Sequence, residues 1–284
     1  MTLLGGHFSI SRGLDSALYE AKAYGCTTCQ IFTKNAATWR ERQLTPDRIN
    51  AFGKARTDTG IDRIASHASY LINLASPDES KHARSIHALE NELIRAGMLD
   101  IPYVVLHPGA HMGEGEETGV QRIIDCLNRI FRKTADVAPT LLLETTSGQG
   151  SGIGHRFEQL AGILSGVDEQ RRIGICMDSC HIFAAGYDIR TEAAYGSMMH
   201  RFDTVIGLDR LHLIHLNDSK KPFASRIDRH SHIGKGQIGL AGFRCFMTDS
   251  RLAEVPKIIE TPKEQGLDWD RVNLDLLRRL ADKN

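Results

Sequence analysis

The sequence predicts an α/β protein: a single-domain (β/α)8 TIM barrel carrying a metal cluster at the C-terminal face of its strands. Three observations predict it. Short β-branched or apolar runs recur along the whole chain, helix-like segments separate them, and most runs stop at a histidine or carboxylate that opens a loop. Alternating strands and helices pair in parallel, and about eight such units within 284 residues fit a closed barrel better than an open doubly wound sheet.

The runs, in order, are LLGGHF (3–8), CTTCQIF (26–32), DRIASH (62–67), YVVLH (103–107), TLLLE (140–144), IGICMD (173–178), LHLIH (211–215) and PKIIE (256–260). Among the intervening segments the clearest helix has Val120, Ile123, Ile124, Leu127, Ile130 and Phe131 on one stripe that ends before Pro139. Similar stripes hold Ile86, Leu89 and Leu93, and Met199, Phe202, Val205 and Ile206. No linker interrupts the pattern, so residues 1–284 read as one domain.

Composition narrows the function classes. Lys plus Arg and Asp plus Glu are both 35, so no global field draws the chain to nucleic acid or an anionic membrane, and any polyanion site must be local. No apolar stretch approaches the roughly 18 residues of a membrane span, and the N-terminus MTLLGGHFSI has no secretory pattern. A soluble, unprocessed cytoplasmic protein with reduced thiols is expected. Cys26 and Cys29 form a lone C-x-x-C within a strand, where residues three apart face opposite sides, which favours packing over redox or zinc chemistry.

The polar residues that end successive strands are His67, His107, Glu144, Asp178, His215 and Glu260, and strand ends share the face where barrels of this kind place their active sites. His181 follows three residues after Asp178 in DSCH, and the stretch RIDRHSHIGKGQIG (226–239) adds Asp228 and His230. Imidazole with carboxylate suits zinc, manganese or iron, and nine such donors exceed the needs of one ion, so a cluster of two or three is expected. His82, His87 and His200 fall in helical stretches, His155 opens one, and His212 should face away from His215, so all five are expected outside the site. His7 and His111 lie near the rim but outside the minimum set. No G-x-S-x-G elbow appears, and Cys180 has no base reserved for it. Water activated by paired ions remains, which is phosphoester chemistry.

These motifs also carry a family resemblance. GGHFS (5–9), FTKN (32–35), HASYLINL (67–74), HPGAH (107–111), ETTSGQG (144–150), DSCHIFAAGYD (178–188), HLNDSK (215–220), SRIDRHSHIGKGQIG (225–239) and IIET (258–261) resemble the endonuclease IV family of abasic-site DNA repair endonucleases over nearly the whole length. The resemblance implies three Zn2+ ions, with Mn2+ or Fe2+ as substitutes. His67, His107 and Glu144 would hold the first, Glu144, Asp178, His215 and Glu260 the second, and His181, Asp228 and His230 the third. The implied reaction is hydrolysis of the phosphodiester 5′ to an abasic site in double-stranded DNA, giving a 3′-hydroxyl and a 5′-deoxyribose phosphate, together with trimming of blocked 3′ ends. Glu144 and Glu260 are the implied catalytic residues, Glu144 bridging two ions and Glu260 orienting or deprotonating the attacking water. An abasic nucleotide has no base to unstack, so it flips out at little cost.

Loops after the strands should grip the DNA: Lys34, Asn35, Arg40, Arg42, Lys220, Lys221, Arg226 and Arg229 supply polar and positive groups, and Tyr70 and Leu71 resemble the family's duplex wedge. The sequence departs from the family at Ala37, where members can carry Arg. Two rivals belong to other classes. A sugar isomerase or epimerase on the same barrel would need fewer ions, and a catalytically silent, metal-stabilised DNA-binding protein would not need Glu260. A barrel of this size is expected to act as a monomer. Gly234, Gly236 and Gly239 spell G-x-G-x-x-G, yet they follow a long polar loop instead of a strand, so a backbone turn is expected there and no dinucleotide. His232 is expected behind the ligands or at the phosphate.

Overall fold

Each of the eight expected runs forms a strand in the computed structural model, which describes residues 2–40, 43–263 and 266–282. Arg42 lies outside the described residues. The strands are β1 (Leu4–Phe8), β2 (Thr28–Ile31), β3 (Arg63–His67), β4 (Tyr103–Leu106), β5 (Thr140–Glu144), β6 (Ile173–Asp178), β7 (Leu211–His215) and β8 (Lys257–Ile259). They close in chain order, β8 pairing β1, and every neighbouring pair is parallel. Gly5 allows one of the tightest approaches: a Cβ there would lie 1.8 Å from the carbonyl oxygen of Thr28 on the next strand.

The connecting helices are α1 (Leu14–Ala23), α2 (Pro46–Thr59), α3 (Glu79–Met98), α4 (Glu116–Lys133), α5 (Phe157–Gly166), α6 (Ser179–Ala185), α7 (Glu192–Val205), α8 (Leu240–Thr248) and α9 (Trp269–Ala281). Their apolar stripes pack on the outside of the barrel; Ile123, Leu127, Ile130 and Phe131 of α4 are all buried. The barrel interior is a separate layer of Ala65, Val105, Leu142, Cys176, Leu213 and Ile258. No helix among the described residues is long and apolar enough to cross a membrane.

One strand-face expectation needs correction. Simple alternation turns His212 away from the barrel axis, but the β6–β7 register is irregular, Ile175 pairing Leu211 while Cys176 pairs Leu213. This bulge turns the His212 ring inward, where it stacks on Tyr103 at 6.0 Å and sits against Gly174. Tyr103 packs on the interior layer, so His212 plugs the barrel at the end opposite the strand termini and remains outside the site.

Candidate metal centre

Strand geometry alone assembles six of the expected donors. His67, His107, Glu144, Asp178, His215 and Glu260 each lie two residues beyond a member of the interior layer (Ala65, Val105, Leu142, Cys176, Leu213, Ile258), so each faces the barrel axis one step nearer the rim. His67, Glu144, Asp178 and His215 are the last residues of their strands, and His107 and Glu260 immediately follow theirs. Asp178 also starts α6, its carboxylate accepting from the His181 backbone N–H at 2.8 Å, which seats His181 beside it. A two-residue ribbon, Asp218–Ser219 against His230–Ser231, brings back Asp228 and His230 from the long loop after β7.

Glu144 is fully buried at the centre. Its Oε2 lies 3.1 Å from His67 Nε2 and 2.9 Å from His107 Nε2, and its Oε1 lies 2.9 Å from His215 Nδ1. His215 Nδ1 is also 3.1 Å from Glu260 Oε2. Asp228 sits between two rings, 3.1 Å from His181 Nε2 and 3.3 Å from His230 Nε2. All nine expected donors fall within groups whose potential ligand atoms lie within 4.8 Å of one another: His67–His107–Glu144, Glu144–Asp178–His215–Glu260, Asp178–His181–His230 and Cys180–Asp228–His230. Cys176 joins Glu144 and His215 in a further group.

The far side of each ring decides what the near side needs. His67 Nδ1 and His181 Nδ1 each donate to a backbone carbonyl at 2.8 Å, those of Ala68 and Thr145, and His230 Nδ1 donates to the Glu260 carbonyl at 3.2 Å. His215 Nε2 donates to Gln30 Oε1 at 2.8 Å. Carbonyl oxygens only accept, so these bonds fix the proton on the outer nitrogen and leave the inner one as a lone pair facing carboxylate oxygens. Two acceptors at such distances need a proton or a metal ion between them.

Electrostatics say the same. Burial alone would raise the Glu144 carboxyl, but the His107 and His215 charges hold it well below the usual range. Asp228 is raised by burial yet brought down to about 2, chiefly by His181. Burial would depress His181, and Asp178 with Asp228 outweighs it, holding the ring well above 6.5. The carboxylates thus stay ionised while the ring between them favours its cationic form, which is the electrostatic setting a bound cation would meet.

Several residues that sequence reasoning missed hold these groups in place. Asn217 donates to Asp178 Oδ2 at 2.6 Å and accepts from the Glu260 backbone N–H at 2.8 Å, tying two donors together. Gln30 contacts His7, His215 and Glu260. Asp218 explains the glycines of the loop after β7: its buried carboxylate accepts the backbone N–H groups of Gly234, Gly236 and Ile238 at 2.9, 3.0 and 3.0 Å. A Cβ on Gly236 would strike the Ser219 carbonyl oxygen at 2.3 Å, so the residue is glycine for close approach. The loop thus wraps an anion, and that anion is its own. His232 lies behind the site, stacked on Trp269 at 4.0 Å and bonded to Asn273, which also reaches Thr261. His7 lines the cleft, whereas His111 Nδ1 accepts from the backbone of Gly113 and Gly115 in a turn. Cys26 and Cys29 are buried packing residues, and burial pushes the Cys26 thiol up to about 12.

Two clefts of about 510 and 480 Å³ lie over the donors and share Tyr70, His107, His181, Asp228 and Arg229. Tyr70 is 65% exposed with Leu71 beside it, and its ring packs edge-on against Phe32. Asn35, Ala37, Arg40, Lys220, Arg226 and Arg229 are exposed on the same rim, and Lys221 is half-buried. Lys263, not foreseen from sequence, lines the first cleft and pairs with Asp270. Lys34 corrects the expectation of a solvated loop cation, being only 5% exposed. It lies near Glu92, where burial raises the carboxyl against a Thr33 hydrogen bond and the charges of Arg95 and Lys34. This buried group pins the loop after β2 to α3.

The eight-stranded parallel barrel with metal-capable side chains at its strand ends is a TIM barrel, and the model of the xylose isomerase-like TIM barrel family matches residues 18–282. The chain is 45% identical over 281 residues to the probable endonuclease 4 of Chloroflexus aurantiacus, covering 99% of each. The crystal structure of endonuclease IV from Thermus thermophilus superposes with a TM-score of 0.86 at 36% identity, covering 98% of each chain. A D-tagatose 3-epimerase-like protein shares the fold alone, with a TM-score of 0.73 at 19% identity over 99% of this chain and 97% of that one. The chain belongs to the endonuclease IV family.

Proposed function

We propose that this protein is a zinc-dependent abasic-site endonuclease of base excision repair, cutting double-stranded DNA 5′ to the lesion and trimming blocked 3′ ends. The reading rests on family membership, and the observation that carries its chemistry is the set of inward lone pairs facing carboxylates at the strand ends. Three ions suit the donor set: His67, His107 and Glu144 for one, and Glu144, Asp178, His215 and Glu260 for the next. His181, Asp228 and His230 would hold the third, since the Asp228 carboxylate lies between the two rings. When bound, such ions lower the pKa of water towards about 7 and neutralise charge on a phosphoryl group.

The chain's own residues do the rest. Glu260 faces the first cleft, where its carboxylate would orient or deprotonate a water. Exposed Tyr70 and Leu71 enter the duplex at the lesion, where the missing base leaves a gap to fill. Asn35, Lys220 and Arg229 meet the backbone, Arg229 from the shared wall of both clefts, and Lys34 supports the same contact from beneath by holding its loop. The protein reaches the lesion as a monomer.

The test is incision of a duplex with one synthetic abasic site by the zinc-loaded protein, with elemental analysis of the same sample. About three ions per chain and a nick 5′ to the site are expected. A single ion, or an intact strand at high enzyme concentration, overturns the proposal.

A further inference from the structure

A cavity of about 980 Å³ lies beside the metal centre, between the loops after β1 and β2 and the first turns of α1 and α2. It adjoins the first cleft. His7 and Phe32, whose rings meet at 4.5 Å, line that cleft, and within a few residues the chain runs from them into Ile10 and Thr33, which line the cavity. Four cations border it, Arg12, Lys34, Arg40 and Arg48, against two carboxylates, Asp15 and Asp47. The positive excess is local, as a chain of zero net charge requires of any polyanion site.

These cations are not equivalent. Lys34 is 5% exposed and its charge bears on buried Glu92, so it serves the fold. Arg12 pairs with Glu20 at 2.8 Å, but its side chain is 72% exposed, where such a pair is weak and readily exchanged for another anion. Arg40 and Arg48 have no side-chain hydrogen bond or ion pair among the described residues, and Arg48 is half-buried. A guanidinium partly withdrawn from water and left without an anion gains by meeting one. No aromatic ring is among the described residues that line the cavity, so a free nucleotide would find nothing to stack on, whereas backbone phosphate needs only charge and donors. The scissile phosphate belongs at the metal donors, so a phosphate in this cavity is a different one along the duplex. We propose that the cavity binds backbone phosphate of the DNA flanking the lesion, with Arg12 and Arg48 as its contacts beside Arg40. The ligand rests on the nuclease reading. The consequence is a substrate longer than the lesion itself, because affinity depends on a duplex arm that reaches this cavity.

The test uses the full-length zinc-loaded protein and a duplex with one synthetic abasic site. Arg12→Gln combined with Arg48→Gln is expected to weaken binding about 10-fold and to lower the log–log salt slope by about 1.8, or about 0.9 for each contact, while the single-turnover rate at saturating enzyme stays unchanged. Arg12→Lys with Arg48→Lys keeps both charges and should restore the slope. Shortening the duplex from one end should reach a step that costs the wild type affinity and costs the double glutamine variant nothing further. An unchanged slope, or equal losses on shortening in both proteins, overturns the proposal, as does a free mononucleotide that needs the two arginines when DNA does not. If the double variant does not fold, Arg12→Gln alone, at an exposed side chain, still decides by a slope change of about 0.9. Binding is read separately from cutting: a wild type that holds abasic DNA with the expected slope but leaves it uncut would refute the nuclease reading and leave this one standing, and a wild type that binds no duplex overturns both.

Discussion

Glu260 joins three tasks in one carboxylate: it faces His215, receives the Gln30 amide and borders the cleft. Glu260→Gln should cut incision about 10²- to 10⁴-fold while leaving the fold intact; steady-state kinetics with a circular-dichroism melt checks both halves, and an unchanged rate would remove Glu260 from the catalytic step. Ala37 is the opposite case, an exposed position that touches little beyond its own turn, where Asn35 Oδ1 accepts its N–H at 2.9 Å. Ala37→Arg should tighten duplex binding and steepen the salt dependence by about 0.9 in log–log slope, measured by fluorescence anisotropy across a salt series. The donor residues were legible because histidine and carboxylate are unusual at the end of an apolar run. Gln30 and Asn217 were not: their side chains are generic amides, and Gln30 meets His215 and Glu260 from 185 and 230 residues away.

At the scale of elements, the loop after β7 shows how a misleading motif acquires a physical reason. Its glycines present converging amides, as a phosphate-binding turn does, and Asp218 occupies them. Asp218→Ala would leave these buried N–H groups unsatisfied and should lower unfolding free energy by about 2–4 kcal/mol. Denaturant titration would measure the loss, and zinc content should fall with it because the same ribbon carries His230. The strands themselves were readable to within about two residues, since apolar alternation and turn signals are local. The bulge that turned His212 inward was not, because it depends on the register between β6 and β7.

Across the whole molecule, the buried cluster makes stability depend on pH and metal together. His67, His181 and His215 have raised pKa values in the metal-free fold, burial lowering each but the carboxylates prevailing at His67 and His181, and Cys176 with the carboxylates at His215. Their contribution to the metal-free protein is fully present below about pH 6.5, the unfolded value, and fades as pH rises through the folded values. Zinc replaces those protons, so its binding strengthens along the same path. The gap in melting temperature between zinc-loaded and chelated protein should therefore widen from about pH 6 to about pH 8; a constant gap would contradict the assignment. The zero net charge read from composition, which counts histidine as neutral, does not reveal that Glu144, Asp178, Asp228 and Glu260 gather at this centre.

The Asp218 fastening also bears on time. Since the loop carrying Asp228 and His230 is tied to the protein's own carboxylate, stripping the metal leaves its backbone anchored. A centre whose walls stand without their ions refills at the pace of ion encounter and proton release, with no refolding to wait for. Stopped-flow recovery of the chelated protein on adding zinc should accordingly scale with zinc concentration, and a plateau set by a slow first-order step would mean that the walls had fallen.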